Sequence, residues 1–292
     1  MAHRSWLGAL AGAALGAVAA RAAYTAFTRR PPIGDEKTWT RTNHRGEPIT
    51  LLEGPAFVAG AGVAAALAPG LPARARAAAV LACAGSGALG AYDDLRGATS
   101  SKGFKGHLTA LARGEVTSGA VKILGIGAAG LLAAALLPRH PGDSGRGPAA
   151  RAVDTLLNGA LIAGSANLAN LFDLRPGRAI KVGLLTGAPL LAASLAKGAP
   201  AGAALTAVPI GAGVALLSHD LGERAMLGDA GANALGALLG VAAVAGLRRP
   251  SRLVVLGTVA GLTAASEKVS FTKVIAGNPA LHRLDMLGRR PA

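Results

Sequence analysis

MLGDAGANALGALLGVAAVAGL, residues 226–247, decides how the chain reads. From Ala230 to Leu247 it carries no charge, and it approaches the ~20 apolar residues needed to cross a bilayer. Asp229 stands between Gly228 and Gly231 just before that run. A carboxylate costs several kcal/mol inside a membrane, so one at the mouth of a span points to work at the membrane surface. A Gly-flanked turn there lets backbone N–H groups and a helix N-terminus meet an anion while the carboxylate meets Mg²⁺. As an N-cap, Asp229 would be purely structural.

Similar runs recur along the whole chain. Of 292 residues, 51% are hydrophobic, 15% are charged and 3% are aromatic, with mean hydropathy +0.44. We therefore expect an all-α, polytopic integral membrane helical bundle, residues 1–292 forming one domain. Nine spans are read: 5–27, 54–71, 76–92, 118–137, 149–168, 179–196, 199–217, 230–247 and 251–266. Ala and Gly fill them, with small-xxx-small pairs at Gly12/Gly16, Gly183/Gly187 and Gly236/Gly240. With 42 glycines such pairs also arise by chance. Cys83 is the single cysteine, which excludes a disulfide framework.

The net charge of +15 would suggest nucleic acid in a soluble protein. Here the basic residues lie in short loops, where orientation and anionic lipid explain them, and no basic stripe interleaved with aromatics exists. Alternating the loops places 18 Lys/Arg on one side and ten on the other, with Arg21 and Lys122 inside spans. The positive-inside rule puts the richer side in the cytoplasm and the N-terminus outside. Thirteen of the fifteen acids share that side, all but Asp143 and Asp154. Acids do not set topology, so their asymmetry is separate and reads as a cytoplasmic active face. Residues 1–27 have a second reading as a cleaved signal peptide, through the small-x-small pattern in AVAARAA.

Two further clusters carry chemistry. In GAYDDLRG, Asp93 and Asp94 close the third span and point about 100° apart on a helix, so one can face a metal or substrate while the other orients it. A hydrated helix end is the plain alternative. In SANLANLFDLRPGRAIK, Asn167, Asn170 and Asp173 are spaced i, i+3, i+6 and share a stripe if the helix continues. Amides at that depth are costly unless paired. Arg175, Arg178 and Lys181 follow around a Pro-Gly turn, where they grip phosphate or simply anchor the loop. Gly125 to Gly130 matches a dinucleotide fingerprint literally, but it lies within a span with no strand before it, so it is packing glycine.

The order Asp-Asp, a Lys-containing loop, Asn-x-x-Asn-Leu-x-Asp, then Gly-Asp-x-Gly-x-x-x-Leu-Gly resembles the polyprenyl-phosphate N-acetylhexosamine-1-phosphate transferases, glycosyltransferase family 4. That family includes phospho-N-acetylmuramoyl-pentapeptide transferase and undecaprenyl-phosphate GlcNAc-1-phosphate transferase. The likeness covers residues 43–240, and NHRGEPITLLEGPAF (43–57) is similar to the family's first cytoplasmic loop. It implies Mg²⁺-dependent transfer of a sugar-1-phosphate, from a nucleotide-sugar of UDP-HexNAc type to polyprenyl phosphate, releasing UMP. Mn²⁺ is an alternative ion. By position it implies Asp229 as metal ligand, with Asp93 and Asp94 placing or deprotonating the lipid phosphate. Asn167, Asn170 and Asp173 would line the donor pocket with Arg175 and Arg178, and Lys102 or Lys105 would neutralise phosphate charge. A multi-pass protein of the cell membrane is implied, engaged in cell-wall biogenesis, with a homodimer as an assembly open to it.

The chain departs from the family at several points. Arg175-Pro176 replaces the stretch holding a second Asp. His219 stands where an Asn reads the nucleobase. The tail offers His282 alone in place of a His-x-His motif. Glu53 occupies a position where Gly is usual. The alternative reading is therefore a catalytically degenerate relative that binds polyprenyl phosphate or scaffolds cell-wall machinery.

Overall fold

A computed structural model describes residues 2–96, 109, 112–114, 117–138 and 147–290, with side chains described from residue 5. Lys102, Lys105 and Asp143 lie outside the described residues.

Nine helices of 15 residues or more are present among the described residues, each overlapping one of the nine apolar runs. They are α1 (Ala2–Arg29), α3 (Glu53–Leu67), α4 (Ala73–Arg96), α5 (Ser118–Leu136), α6 (Pro148–Phe172), α7 (Arg178–Ala196), α8 (Pro200–Leu221), α9 (Gly228–Gly246) and α10 (Arg249–Ser266). Shorter helices are α2 (Glu36–Trp39), α11 (Phe271–Gly277) and α12 (Pro279–Met286). Two three-residue strands, β1 (Thr40–Thr42) and β2 (Pro48–Thr50), add a small hairpin to an otherwise all-α protein.

Among the described residues, five helices are long and apolar enough to cross a membrane: Ser5–Arg29 within α1, α5, α7, α8 and α9. A sixth arises if α10 and α11 count as one element, bent by 95°. By length and apolarity alone five or six of the nine expected spans qualify, and the remaining helices miss that test for physical reasons. At 15 residues α3 reaches only about 22 Å, short of a ~30 Å hydrocarbon core. α4 and α6 are long enough, but Arg74, Arg76, Asp93 and Asp94 dilute one, and Arg151, Asp154, Asn158, Asn167 and Asn170 the other. The surface agrees with a multi-pass membrane protein. Leu10, Val18, Leu67, Leu124, Leu185 and Val254 are more than half exposed on helix faces, where lipid rather than water suits them.

The core is built on α9. Its sequence is almost entirely Ala, Gly, Leu and Val, and it is buried along most of its length against α3, α4, α6, α7 and α8. Small residues permit that density. A Cβ on Gly236 would lie 2.1 Å from the Ser165 carbonyl oxygen of α6. α1 packs chiefly on α8 and α3, with its Gly12 and Gly16 against α8.

The hairpin is lashed to the loop before α9. Met226 N–H donates to the Thr50 carbonyl (3.0 Å) and Thr50 N–H to the Arg224 carbonyl (3.3 Å). The buried Trp39 anchors the hairpin, its Nε1–H donating to the Ile33 carbonyl at 2.8 Å. Beyond α10 the chain folds back. Phe271 stacks on Phe172 with ring centroids 4.9 Å apart, holding α11 against the end of α6.

Candidate functional site

The ends of α1, α4, α6 and α8 and the starts of α3, α5, α7 and α9 meet at one end of the bundle, and most acids gather there. Asp94, in the last turn of α4, accepts backbone N–H bonds from Asp229 and Ala230, both at 3.0 Å. It therefore satisfies two N–H groups at the start of α9, a task that no side chain of the preceding loop performs. The sharp entry needs Gly228, whose φ of +60° lies in the left-handed region and whose missing Cβ would sit 3.0 Å from the Asp94 carboxylate. Arg41 of β1 donates to the Asp94 backbone carbonyl, tying the hairpin to the same point.

Asp93 turns the other way. Lys122, in the first turns of α5, donates to Asp93 Oδ2 at 2.6 Å and also to Asp229 Oδ2. One ammonium thus bridges two carboxylates from helices 136 positions apart in sequence. All three side chains are mostly buried, with 15%, 19% and 26% exposure for Lys122, Asp93 and Asp229. Thr117 caps α5 by accepting from Ala120 N–H at 3.1 Å, which fixes the turn presenting the lysine. Lys122 was not among the residues singled out from sequence. The available signal was a lone cation in an apolar segment, which is functional by default.

Asp173 does not continue the helical stripe of Asn167 and Asn170. It is the C-cap of α6, at φ −80° and ψ 47°, and is buried. It lies within electrostatic reach of Asp220, Asp229 and Asp94. Asn167 and Asn170 are half-buried on the last turns of α6.

The basic residues expected to grip phosphate have other partners. Arg178 donates to both oxygens of Asp285, Nε at 2.7 Å and Nη2 at 2.9 Å, and to Thr272 Oγ1 at 2.9 Å. Lys181 donates to the Asp285 carbonyl at 2.6 Å, and Arg175 to the adjacent Leu174 carbonyl at 2.9 Å. The tail is thereby held on the start of α7. Burial of Asp285 opposes its charge, but Arg178 and Arg289 outweigh this and keep its carboxyl below the ordinary value of 3.8. Arg290 extends the strap to Glu47 of the hairpin at 2.7 Å. His219 contacts Arg21 and stacks near Tyr24, centroids 4.6 Å apart, between α8 and α1. His282 lies on the exposed side of α12.

Behind this end, α6, α7, α9 and α10 line an apolar groove of about 590 Å³, open along one side and lined by Leu168, Val182, Pro189, Leu239, Val255 and Val259 among others. At the opposite end of the bundle, Arg249 pairs with Asp154 at 2.7 Å and Arg252 donates to Asn158.

Asp93 and Asp229 direct carboxylate oxygens at one point that already holds a positive charge. Two hard oxygen donors there suit Mg²⁺, which takes one or two carboxylates and completes its shell with water and phosphate oxygens. Among the described residues no three His, Cys, Asp or Glu side chains could hold an ion by themselves. No family model matches the chain, and no curated protein sequence matches it significantly.

Proposed function

We propose that the chain transfers a sugar-1-phosphate from a nucleotide-sugar to polyprenyl phosphate at the cytoplasmic face of the cell membrane, releasing a nucleoside monophosphate. The observation that carries this is the Asp93–Lys122–Asp229 constellation beside the Asp94-capped start of α9, at the mouth of an apolar bundle. Phosphoryl transfer asks little covalent chemistry of a protein. It asks for positive charge on the transferring oxygens and a positioned nucleophile.

Each residue has a part in this reading. Asp93 and Asp229 would hold Mg²⁺, which would supply positive charge against the donor diphosphate. Lys122 balances the two carboxylates before substrate arrives and faces the phosphates afterwards. Asp94 is a positioning residue that aims the N-terminus of α9, with its positive dipole end, at the phosphates. An acceptor phosphate oxygen is already anionic at neutral pH, so no strong base is required. Asn167, Asn170 and Asp173 stand on the donor side. The apolar groove between α6, α7, α9 and α10 suits an isoprenoid tail, held at membrane depth while its phosphate reaches the acids. All nine long helices cross the bilayer in this reading, with the N-terminus outside.

A second reading is favoured by Lys122 itself. An ammonium that already satisfies Asp93 and Asp229 makes a metal unnecessary for stability, as in a non-catalytic relative that only binds polyprenyl phosphate. Purified protein in detergent, given Mg²⁺, polyprenyl phosphate and a panel of nucleotide-sugars, separates the two. Lipid-dependent UMP release with one donor, absent in Asp229→Asn, is expected. Silence across the panel from folded, lipid-binding protein would leave the non-catalytic reading.

A further inference from the structure

The end of the bundle opposite the acids carries an excess of positive charge. Arg74 and Arg76 begin α4, Arg151 begins α6, and Arg248, Arg249 and Arg252 begin α10. Asp154 is the one carboxylate at this end among the described residues. Part of the charge surrounds a cavity. Arg151, Asp154, Thr155 and Asn158 fall at i, i+3, i+4 and i+7, which is one face of α6, and Arg252 meets them from α10. These five side chains line a space of about 90 Å³. A single water needs ~10–15 Å³ of such space, so the cavity has room for several waters or for one tetrahedral oxyanion.

Hydrogen bonds fix the walls. Arg252 is 5% exposed and donates from Nη1 to Asn158 Oδ1 at 3.1 Å. Arg249 reaches Asp154 Oδ1 at 2.7 Å from an adjoining crevice. Thr155 turns its hydroxyl back to the Arg151 carbonyl at 3.0 Å. Three guanidinium groups therefore share one carboxylate, and positive charge is left over whichever bonds Asp154 makes. Charge at a buried helix contact is costly unless opposite charge joins it. Guanidinium forks match phosphate oxygens two at a time, so an oxyanion is the occupant they fit. Leu137 and Pro138 also line a second cavity of about 340 Å³, with Lys197 and Arg248 beside Pro72, Ala75 and Ala245. A small polar cavity next to a larger, mostly apolar one suits a phosphate headgroup and the hydrocarbon attached to it.

We propose that the cavity between α6 and α10 binds a phosphate-type oxyanion, with Arg151 and Arg252 as its ligands and Arg249 balancing Asp154. The site lies at the opposite end of the bundle from Asp93, Lys122 and Asp229. It stands whether or not the transferase reading does.

The test is equilibrium dialysis of the full chain, stripped of lipid in maltoside detergent, against radiolabelled inorganic phosphate at neutral pH. Saturable binding of one phosphate per chain is expected. Arg151→Gln and Arg252→Gln should each weaken it at least tenfold, while Lys122→Gln leaves it unchanged. Arg151 is exposed, so its variant should keep the fold, as circular dichroism will show, even where loss of the buried Arg252 disturbs it. Short-chain phosphatidylglycerol is then added as competitor. Displacement of the label makes a lipid headgroup the source of the phosphate, and no displacement makes it a soluble oxyanion. The proposal is overturned if the unaltered protein shows no saturable binding, or if Arg151→Gln binds as tightly as that protein. Binding lost only in Lys122→Gln would place the phosphate at the acid-rich end and overturn it equally.

Discussion

At the scale of the residue, Lys122 sets the electrostatics of the candidate site. Removing its charge while keeping a polar side chain, as in Lys122→Gln, leaves Asp93 and Asp229 facing each other without compensation. We expect a loss of roughly 1–3 kcal/mol, below the fully buried range because all three side chains keep some exposure. Millimolar Mg²⁺ should restore most of the lost melting temperature in that variant. A melting curve indifferent to Mg²⁺ would remove the ion from between these carboxylates. Asp229→Asn leaves the helix start capped by Asp94, so the variant should fold but release no UMP. Full turnover there would sink Asp229 as a metal ligand. The acids themselves were legible in sequence as charges at the ends of apolar runs. Their convergence was not, since Asp94 and Asp229 meet across 135 positions and nothing local announces it. Lys122, visible in sequence as a cation inside a span, carries no role there because a single cation near a span end also serves as an ordinary anchor.

At the scale of the element, the helices were legible because apolar runs of span length have few other fates. The 95° bend between α10 and α11 was not, because residues 267–270 carry no proline to mark it and Phe271 meets Phe172, 99 positions away. The hairpin was hidden too, since strands of three residues are too short to display alternation. The contact of α4 with α9 permits a sharp test. A Cβ on Gly90 would stand 2.2 Å from the Asp229 carbonyl oxygen, backbone against backbone, so neither side can yield by rotating a side chain. Gly90→Ala should therefore cost about 1–3 kcal/mol, as overpacked cores do. It should also lower UMP release more than ten-fold by moving Asp229. Unchanged melting and turnover would mean that the helices do not approach so closely. The docking of α12 gives a pH dependence of known sign. Asp285 is held below its ordinary value of 3.8 when docked, so its contribution is present above that value and is lost as pH falls through the lower folded value. Limited proteolysis of the tail should therefore be flat from pH 8 to 5 and accelerate only below about pH 4.

At the scale of the whole molecule, the acids at one end of the bundle and the Arg249–Asp154 and Arg252–Asn158 contacts at the other give the protein two chemically distinct faces. Orientation follows from labelling. Cys83 is buried, so single cysteines introduced at Arg45 and Lys197 report cleanly with a membrane-impermeant maleimide. Arg45→Cys should react only in inside-out vesicles and Lys197→Cys only in right-side-out ones. Reaction of both from one side would overturn the nine-span arrangement.

The capping of α9 by Asp94 has a consequence in time. The carboxylate leaves the ribosome 135 residues before the N–H groups that it will accept. At 5–20 residues per second that is an interval of roughly 7 to 27 s. For that whole interval α4 stands in or beside the bilayer with a bare acid pair at its end and without the helix on which it will pack. The cap on α9 is thus one of the last contacts that synthesis makes possible, and the start of α9 stays open until α4 and α9 meet.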